Sequence, residues 1–271
     1  MIGYACINMK LSNQKPRVYT GRSMIKRTFE QKGIQYASEL GLQNCKDLME
    51  IIKWNNEHDF KFFRITSNLF PWCSEYELKS MPDYEEIKST LHEIGEYVKE
   101  NQMRITSHPG PFNVLTSPHE HVVQNCIKDL STHGEVFDMM NLSRTPWNKI
   151  NIHIGGVYGD KVSAMERFCK NFTRLPDSVR SRLTVENDDK ASMYSVKDLY
   201  HGVYKIIGIP IVFDYHHHRF NTGDLSEREA LEMACSTWGN VKPVVHYSES
   251  RSLEKKDNKI REQAHSDYIY E

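Results

Sequence analysis

Val212-Phe213-Asp214-Tyr215-His216-His217-His218 decides the fold, because an apolar run leads directly into a carboxylate and then three imidazoles. This pattern predicts a short buried strand whose carboxyl end carries metal-ligand chemistry. The same design, an apolar run that ends in His or Glu, recurs at 105–108, 150–153, 183–186 and 244–246. A single histidine cluster would more often be a solvated loop. Its repetition at successive strand ends favours one shared site.

Short apolar segments alternate with amphipathic segments along the chain. The predicted strands are 2–7, 60–66, 103–107, 149–154, 182–186, 210–214 and 242–246, and the predicted helices are 45–58, 83–101, 118–140, 161–171, 195–206 and 225–235. Strict alternation indicates an α/β fold with a parallel sheet. Polar residues at the strand ends favour a (β/α)₈ TIM barrel, with a doubly wound open sheet as the alternative. We expect a single domain over residues 1–271.

Bulk properties narrow the class of protein. The chain has 271 residues, a net charge of −1 and six cysteines without C-x-x-C spacing, which indicates reduced core thiols. The sequence contains no run of about 18 apolar residues that could span a membrane. Its first residues are typical of a strand and not of a signal peptide. We therefore expect a cytoplasmic protein with no membrane partner. Any nucleic-acid surface must be a local patch.

Such a basic patch is predicted in a long loop, residues 10–43, between the first strand and the first helix. Its basic residues are Lys10, Lys15, Arg17, Arg22, Lys26, Arg27 and Lys32, with Tyr19, Phe29 and Tyr36 interleaved. A flexible solvated loop would also have this composition. A concentrated basic stretch in a near-neutral protein favours phosphate contacts, for which Arg22, Lys26 and Arg27 are the candidates.

The candidate metal ligands mix imidazoles with carboxylates, a donor set that suits zinc, manganese or iron. They are His108, His153, Glu186, Asp214, His217, His246 and His265, with Glu75 as a further candidate. This set exceeds the needs of one ion and predicts a cluster of two or three, with Glu186 as a bridge. Multi-ion clusters serve phosphodiester hydrolysis. The run Asn187-Asp188-Asp189 is predicted to orient ligands or to cap the next helix.

Two blocks carry a specific resemblance: His153-Ile154-Gly155-Gly156-Val157-Tyr158-Gly159 and Thr184-Val185-Glu186-Asn187-Asp188-Asp189. With Ser107-His108-Pro109-Gly110 and the Asp214 block, the chain resembles the ultraviolet damage endonucleases and, more remotely, endonuclease IV. The resemblance implies a metal-dependent barrel enzyme that nicks damaged double-stranded DNA immediately 5′ of cyclobutane dimers and 6-4 photoproducts. It implies manganese or zinc. We further expect no nucleotide cofactor, a monomer and, in a cell without a nucleus, association with the nucleoid.

The resemblance also implies roles for single residues. The metal positions fall on the seven ligands named above, with Glu186, His108 and His153 central to catalysis. Tyr4 and Asn8 match residues near the DNA. Pro111 and Phe112 match the pair that fills the gap opposite an extruded dinucleotide.

Four departures from the family pattern accompany this resemblance. Pro111 replaces a Gln, which predicts a preference for the more distorting 6-4 photoproduct. Glu75 stands where the family has a ligand His, and Val244 where it can carry a modified Lys. The sequence ends at Glu271, before the family's last strand and its metal-binding Glu. Either the sequence is truncated and the barrel is incomplete at its C-terminal strand, or the barrel is closed and the cluster is completed in another way. The competing interpretations are an abasic-site endonuclease, a metal-dependent sugar isomerase and a damage-binding protein with weakened catalysis.

Overall fold

In a computed structural model, which describes residues 1–270, the chain divides into two compact units. The first unit comprises Met1–Gly110, Ile127–Ile150 and Leu175–Arg182. The second comprises Pro111–Cys126, Asn151–Arg174 and the residues from Leu183 onward. The expectation of a single domain stays a prediction.

Strands and helices alternate as the sequence predicts, with strands one to three residues shorter in most cases. The strands are β1 (Gly3–Ala5), β2 (Phe62–Ile65), β3 (Arg104–Ser107), β4 (Ile150–Ile152), β5 (Leu183–Glu186), β6 (Ile211–Asp214) and β7 (Val245–His246). The helices are α1 (Met9–Ser12), α2 (Lys26–Glu57), α3 (Tyr84–Glu100), α4 (Glu120–Met139), α5 (Lys161–Phe172), α6 (Asp177–Arg180), α7 (Val196–Leu199), α8 (Lys205–Ile207), α9 (Tyr215–His218), α10 (Glu227–Ser236) and α11 (Arg251–Lys255). Short 3₁₀ turns occur at Cys73–Glu75, Leu78–Ser80 and Pro146–Asn148, and a π-helical turn, Tyr200–Tyr204, joins α7 to α8.

In the first unit, β1, β2, β3 and the start of β4 pair in parallel and in chain order, and β3 meets β4 where Ser107 faces Ile150. One face of these strands packs against α2 and α3. The predicted apolar face of α3, which contains Ile87, Leu91, Ile94 and Val98, is fully buried. Gly95 of α3 allows the backbone at Met140 to approach this helix closely, because a Cβ at position 95 would lie 1.7 Å from the Met140 carbonyl oxygen.

In the second unit, β5, β6 and β7 also pair in parallel and in chain order. Glu186 pairs with Val212, and Asp214 pairs with His246, so the carboxyl ends of these strands lie side by side. The strand order never reverses within residues 1–270, which excludes the doubly wound alternative. The fold is that of an incomplete (β/α)₈ barrel, with seven strands in this part of the chain.

The predicted long loop at residues 10–43 is wrong, because α1 and the first half of α2 occupy much of it. The N-terminal half of α2 buries small or polar side chains, such as Ala37, Ser38 and Gly41, so it lacks the large apolar periodicity that marked residues 45–58. Gly33, with φ of 62°, interrupts the helix near its start. No helix within residues 1–270 is long and apolar enough to cross a membrane.

Candidate metal centre

Two groups of candidate ligands lie in the second unit and share Asp214. One group is Glu186, Asp214 and His246; the other is Asp214, His217 and His265. Within each group the ligand atoms lie within 4.8 Å of one another. Glu186 and Asp214 are each 2 % exposed. Five of the ligands predicted from the sequence are therefore close together in this unit.

The strand ends explain this convergence. Glu186, Asp214 and His246 are the last residues of three adjacent parallel strands, β5, β6 and β7. The His-rich run forms a turn of helix, α9, which places His217 one turn beyond Asp214. The Asp214 side chain caps this turn by accepting a hydrogen bond from the His217 backbone N–H at 2.9 Å.

Glu186 is held by a short chain of polar side chains inside the second unit. The Thr184 hydroxyl donates to Asn151 Oδ1 at 2.7 Å, and the Asn151 amide donates in turn to Glu186 Oε2. The same carboxylate oxygen lies 3.0 Å from Nδ1 of His246. Sequence reasoning missed Thr184 and Asn151, although polar residues within otherwise apolar strands were a signal for them.

His217 and His265 face each other through their Nε2 atoms at 2.9 Å. His217 Nδ1 lies 2.8 Å from the Asn187 backbone oxygen, which can only accept, so this nitrogen carries the proton and Nε2 presents a lone pair. His265 Nδ1 contacts the Ser248 hydroxyl at 2.6 Å. Asn187 thus lies where an orienting residue was predicted.

The segment that carries His265 is attached to the preceding chain by a pair of short backbone hydrogen bonds. Ser250 and His265 form an isolated antiparallel bridge. The backbone N–H of Arg251 donates to Ala264, and that of Ser266 donates to Glu249, each at 2.7 Å. These contacts hold an otherwise exposed histidine at the ligand group.

His153 follows β4 and contacts Asp188, whose Oδ1 lies 3.0 Å from His153 Nδ1. Burial alone would lower the His153 pKa, but Asp188, Glu186 and Asp214 together outweigh it and raise the pKa to about 9. Asp188 is itself held by Tyr194, whose backbone N–H donates to Asp188 Oδ2 at 3.3 Å. Tyr194, which the sequence did not single out, also donates from its hydroxyl to the Gly156 carbonyl at 3.2 Å.

The electrostatics of this donor set fit a divalent cation. Burial and the neighbouring Glu186 carboxylate raise the Asp214 pKa to about 7, as expected where two acidic groups share a confined space. Burial and the neighbouring imidazoles of His217 and His216 lower the His265 pKa to about 4, so this ring is neutral at physiological pH. Two crowded carboxylates beside the lone pair of His217 Nε2 are unfavourable without a cation and favourable with one.

Two predicted ligands belong to the first unit. His108 directly follows β3, and its Nδ1 lies 3.1 Å from the Pro109 carbonyl oxygen; its role as a ligand stays a prediction. Glu75 is exposed on a 3₁₀ turn that begins after Trp72, a residue in the left-handed conformation. Within residues 1–270, Glu75 belongs to no group of three candidate ligands, so the structure does not support its assignment.

The predicted DNA-contacting residues of the first unit differ in their surroundings. The Tyr4 hydroxyl donates to Asn55 and accepts from Asn8, and burial raises the Tyr4 pKa to about 12. The Arg22 guanidinium lies 2.8 Å from the Asp47 carboxylate, so it is engaged inside the protein. Lys26 and Arg27, in contrast, are exposed at the start of α2. In the second unit, Pro111 is exposed and Phe112 is 86 % exposed, and their roles at the DNA stay predictions.

Comparison with known proteins covers the whole chain. The sequence profile of the family described as "UV-endonuclease UvdE" matches residues 1–271. A UV-damage endonuclease of Schizosaccharomyces pombe is 34 % identical over all of this chain, which spans 46 % of that relative's length.

Solved structures agree with this relationship. The crystal structure of SacUVDE matches with a TM-score of 0.84 and 30 % identity, covering 99 % of this chain and 85 % of that one. A D-psicose 3-epimerase from Clostridium cellulolyticum H10, at 13 % identity and a TM-score of 0.54 over 75 % of this chain and 68 % of its own, shares the barrel fold alone. With a profile match from end to end and a solved relative of the same architecture, the chain belongs to the UV-endonuclease UvdE family.

Proposed function

We propose that this chain is a UV damage endonuclease, which hydrolyses the DNA phosphodiester immediately 5′ of a photoproduct in a metal-dependent reaction. The observation that carries the proposal is the pair of ligand groups that share Asp214 in a member of this family. We further propose two or three divalent ions, manganese or zinc, and action as a monomer on damaged double-stranded DNA.

The residues of the second unit would hold the ions in defined ways. Glu186 and Asp214 supply buried carboxylates, and His217, His246 and His265 supply ring nitrogens. His153 and, from the first unit, His108 complete the proposed set. When bound, such ions polarise a phosphodiester and lower the pKa of water enough to provide hydroxide at neutral pH.

The protein's own contribution is to fix these side chains before substrate arrives. Asn151 and Thr184 orient Glu186, Asn187 selects the His217 tautomer, and Asp188 aligns His153. Partners of this kind set both the direction and the basicity of a ligand. A fixed donor set costs no reorganisation at the moment of reaction.

Binding of the DNA is proposed to use two kinds of residue. Exposed Lys26 and Arg27 would bind backbone phosphates, which gives affinity without sequence preference. Exposed Phe112 would stack in the space that an extruded dinucleotide leaves. A crosslinked pyrimidine pair stacks poorly, so extruding it from the duplex costs less free energy than extruding an undamaged dinucleotide.

The test is to incubate the purified chain with irradiated, abasic and undamaged duplexes after removal of metal and after addition of Mn²⁺ or Zn²⁺. We expect a nick immediately 5′ of the photoproduct, with an extendable 3′-hydroxyl, only when metal is restored. Nicking confined to abasic sites would instead identify an abasic-site endonuclease. Binding of irradiated DNA without nicking in either metal would overturn the enzymatic proposal in favour of a damage-binding protein.

A further inference from the structure

Arg64, in the middle of β2, carries a positive charge that no residue of the described part of the chain, 1–270, neutralises. Its Nε is buried and has no hydrogen-bond partner in residues 1–270, and no carboxylate of these residues lies within ion-pair distance of its guanidinium. The rest of the side chain is only partly buried. The buried Nε–H loses its hydration without a protein partner, which an anion at this position would offset.

Strand alternation shows which face of the first unit carries Arg64. The flanking residues Phe63 and Ile65 are buried in the core, and Tyr4, which pairs with Phe63, reaches Asn55 of α2. Arg64 therefore lies on the opposite face from α2, because neighbouring residues of a strand point to opposite sides.

Thr106 of β3 pairs with Arg64 in the parallel register, so both side chains occupy this face. Thr106 is fully buried, and its Oγ1 has no hydrogen-bond partner within the described part of the chain. Such a hydroxyl alone does not mark a binding site, since the adjacent Ser107 Oγ is in the same state on the other face. Thr106 is distinguished by its position directly beside an unpaired cation.

We propose that Arg64 and Thr106 form an anion subsite for a DNA backbone phosphate. The Nε–H of Arg64 and the hydroxyl of Thr106 are both donors, and phosphate oxygens accept from each. A planar guanidinium with several parallel N–H groups matches phosphate better than a lysine ammonium would. The anionic character follows from the two donors, and its identification as DNA phosphate rests on the proposed function.

The position along the strand supports this identification. His108, a proposed ligand, comes two residues after Thr106 and so continues the same face at the carboxyl end of β3. A phosphate that Arg64 and Thr106 bind would therefore lie next to His108 in the first unit. Arg64 is in this view a residue that binds substrate, not one that stabilises the fold.

The experiment measures how inorganic phosphate stabilises the full chain against heat, at constant ionic strength in chloride, with the bound metal of every sample quantified. Arg64→Gln removes the charge and the parallel N–H donors of the guanidinium. Thr106→Val removes the hydroxyl at nearly constant side-chain shape. Arg228→Gln is the matched control, because Arg228 is exposed and paired with Glu232 on α10. We expect the apparent dissociation constant to rise by about tenfold or more in Arg64→Gln and by about threefold in Thr106→Val, and to be unchanged in Arg228→Gln.

Further measurements keep the outcome decisive. Without phosphate, Thr106→Val should unfold at the wild-type temperature or above, because the variant no longer buries an unpaired hydroxyl. If Arg64→Gln fails to fold, Arg64→Lys replaces it and should retain part of the affinity. A wild-type phosphate response that the Arg64 and Thr106 variants share, or no response at all, overturns the subsite. If the phosphate response is abolished in these variants but wild type nicks no irradiated duplex, the subsite stands and the proposed function fails.

Discussion

Glu186 joins the ligand group with Asp214 and His246, so Glu186→Gln changes charge at the site with little change in shape. We expect bound metal to fall and nicking of irradiated duplex to drop by more than about 100-fold, since even residues that only orient ligands contribute about 10–100-fold. Metal analysis and single-turnover nicking measure both. The matched control is Glu166→Gln, at an exposed position of α5. Wild-type nicking by Glu186→Gln would remove this carboxylate from the mechanism.

Asp188 tests the orientation of His153, because Asp188 reaches the ring without belonging to either ligand group of the second unit. Asp188→Asn should reduce metal affinity or nicking by about 10–100-fold, less than the removal of a ligand would. Titration of metal into the depleted protein separates affinity from rate. Asp224→Asn, at an exposed turn, supplies the control. Equal metal affinity and equal rates in Asp188→Asn and wild type would mean that His153 needs no orienting partner.

At the scale of the elements, Arg182 anchors the residue before β5 to the end of α4. Its fully buried guanidinium donates to the carbonyl oxygens of Ser143 and Leu142 and pairs with Asp138 at 2.8 Å. Removing one partner of such a pair leaves a buried charge uncompensated. We expect Asp138→Asn to lower the free energy of unfolding by about 1–3 kcal/mol at pH 7, measured by urea denaturation.

The same pair predicts a pH dependence. Burial opposes ionisation of Asp138, but the guanidinium groups of Arg144 and Arg182 outweigh it and lower the Asp138 pKa. A lowered pKa in the folded state gives stability that is present above the unfolded value, about 3.9, and is lost as pH falls through the folded value. The difference between wild type and Asp138→Asn should therefore shrink below about pH 4. A difference that stays constant as the pH falls below this value would show that the charge of Asp138 is irrelevant.

The elements also show where sequence reasoning works. The apolar periodicity of α3 and the strand ends at Glu186 and Asp214 were predicted correctly, because large apolar side chains repeat at the spacing of each element. The first half of α2 was missed, because its buried face is made of small residues that also suit a loop. The pairing of Arg22 with Asp47 was missed as well, since only the fold brings these residues together.

At the scale of the whole chain, a net charge of −1 means that the proposed attraction to DNA would come from local cations. Lys26→Gln with Arg27→Gln should reduce the slope of log affinity against log salt by roughly one for each phosphate that these side chains no longer bind, for damaged and undamaged duplex alike. The control replaces Lys46 and Lys53 by Gln, which removes two charges from the same helix, α2, further along. Equal slopes in the test and control variants would mean that Lys26 and Arg27 are solvated and bind no phosphate.

The composition of the site was less predictable than its location. The candidate ligands could be predicted because His, Asp and Glu are rare at the ends of apolar strands, so their pattern is visible in one sequence. The residues that orient them, such as Asn151, Thr184 and Tyr194, are ordinary residue types in ordinary positions. Their roles depend on contacts between distant parts of the chain, which no local pattern records.

Because the Ser250 bridge attaches His265, the intervening segment would report whether an ion occupies the proposed site. This segment carries Arg251, Lys255, Lys256, Lys259 and Arg261, all exposed and all recognised by trypsin. An ion bound through His265 would favour the closed segment by mass action, whereas a chelator would release it to open and be cut. Limited proteolysis should therefore cleave between Ser250 and His265 several-fold faster after chelation, and His265→Ala should be cut fast in either state. If the digestion rate changes neither with metal nor with His265→Ala, His265 does not take part in metal binding.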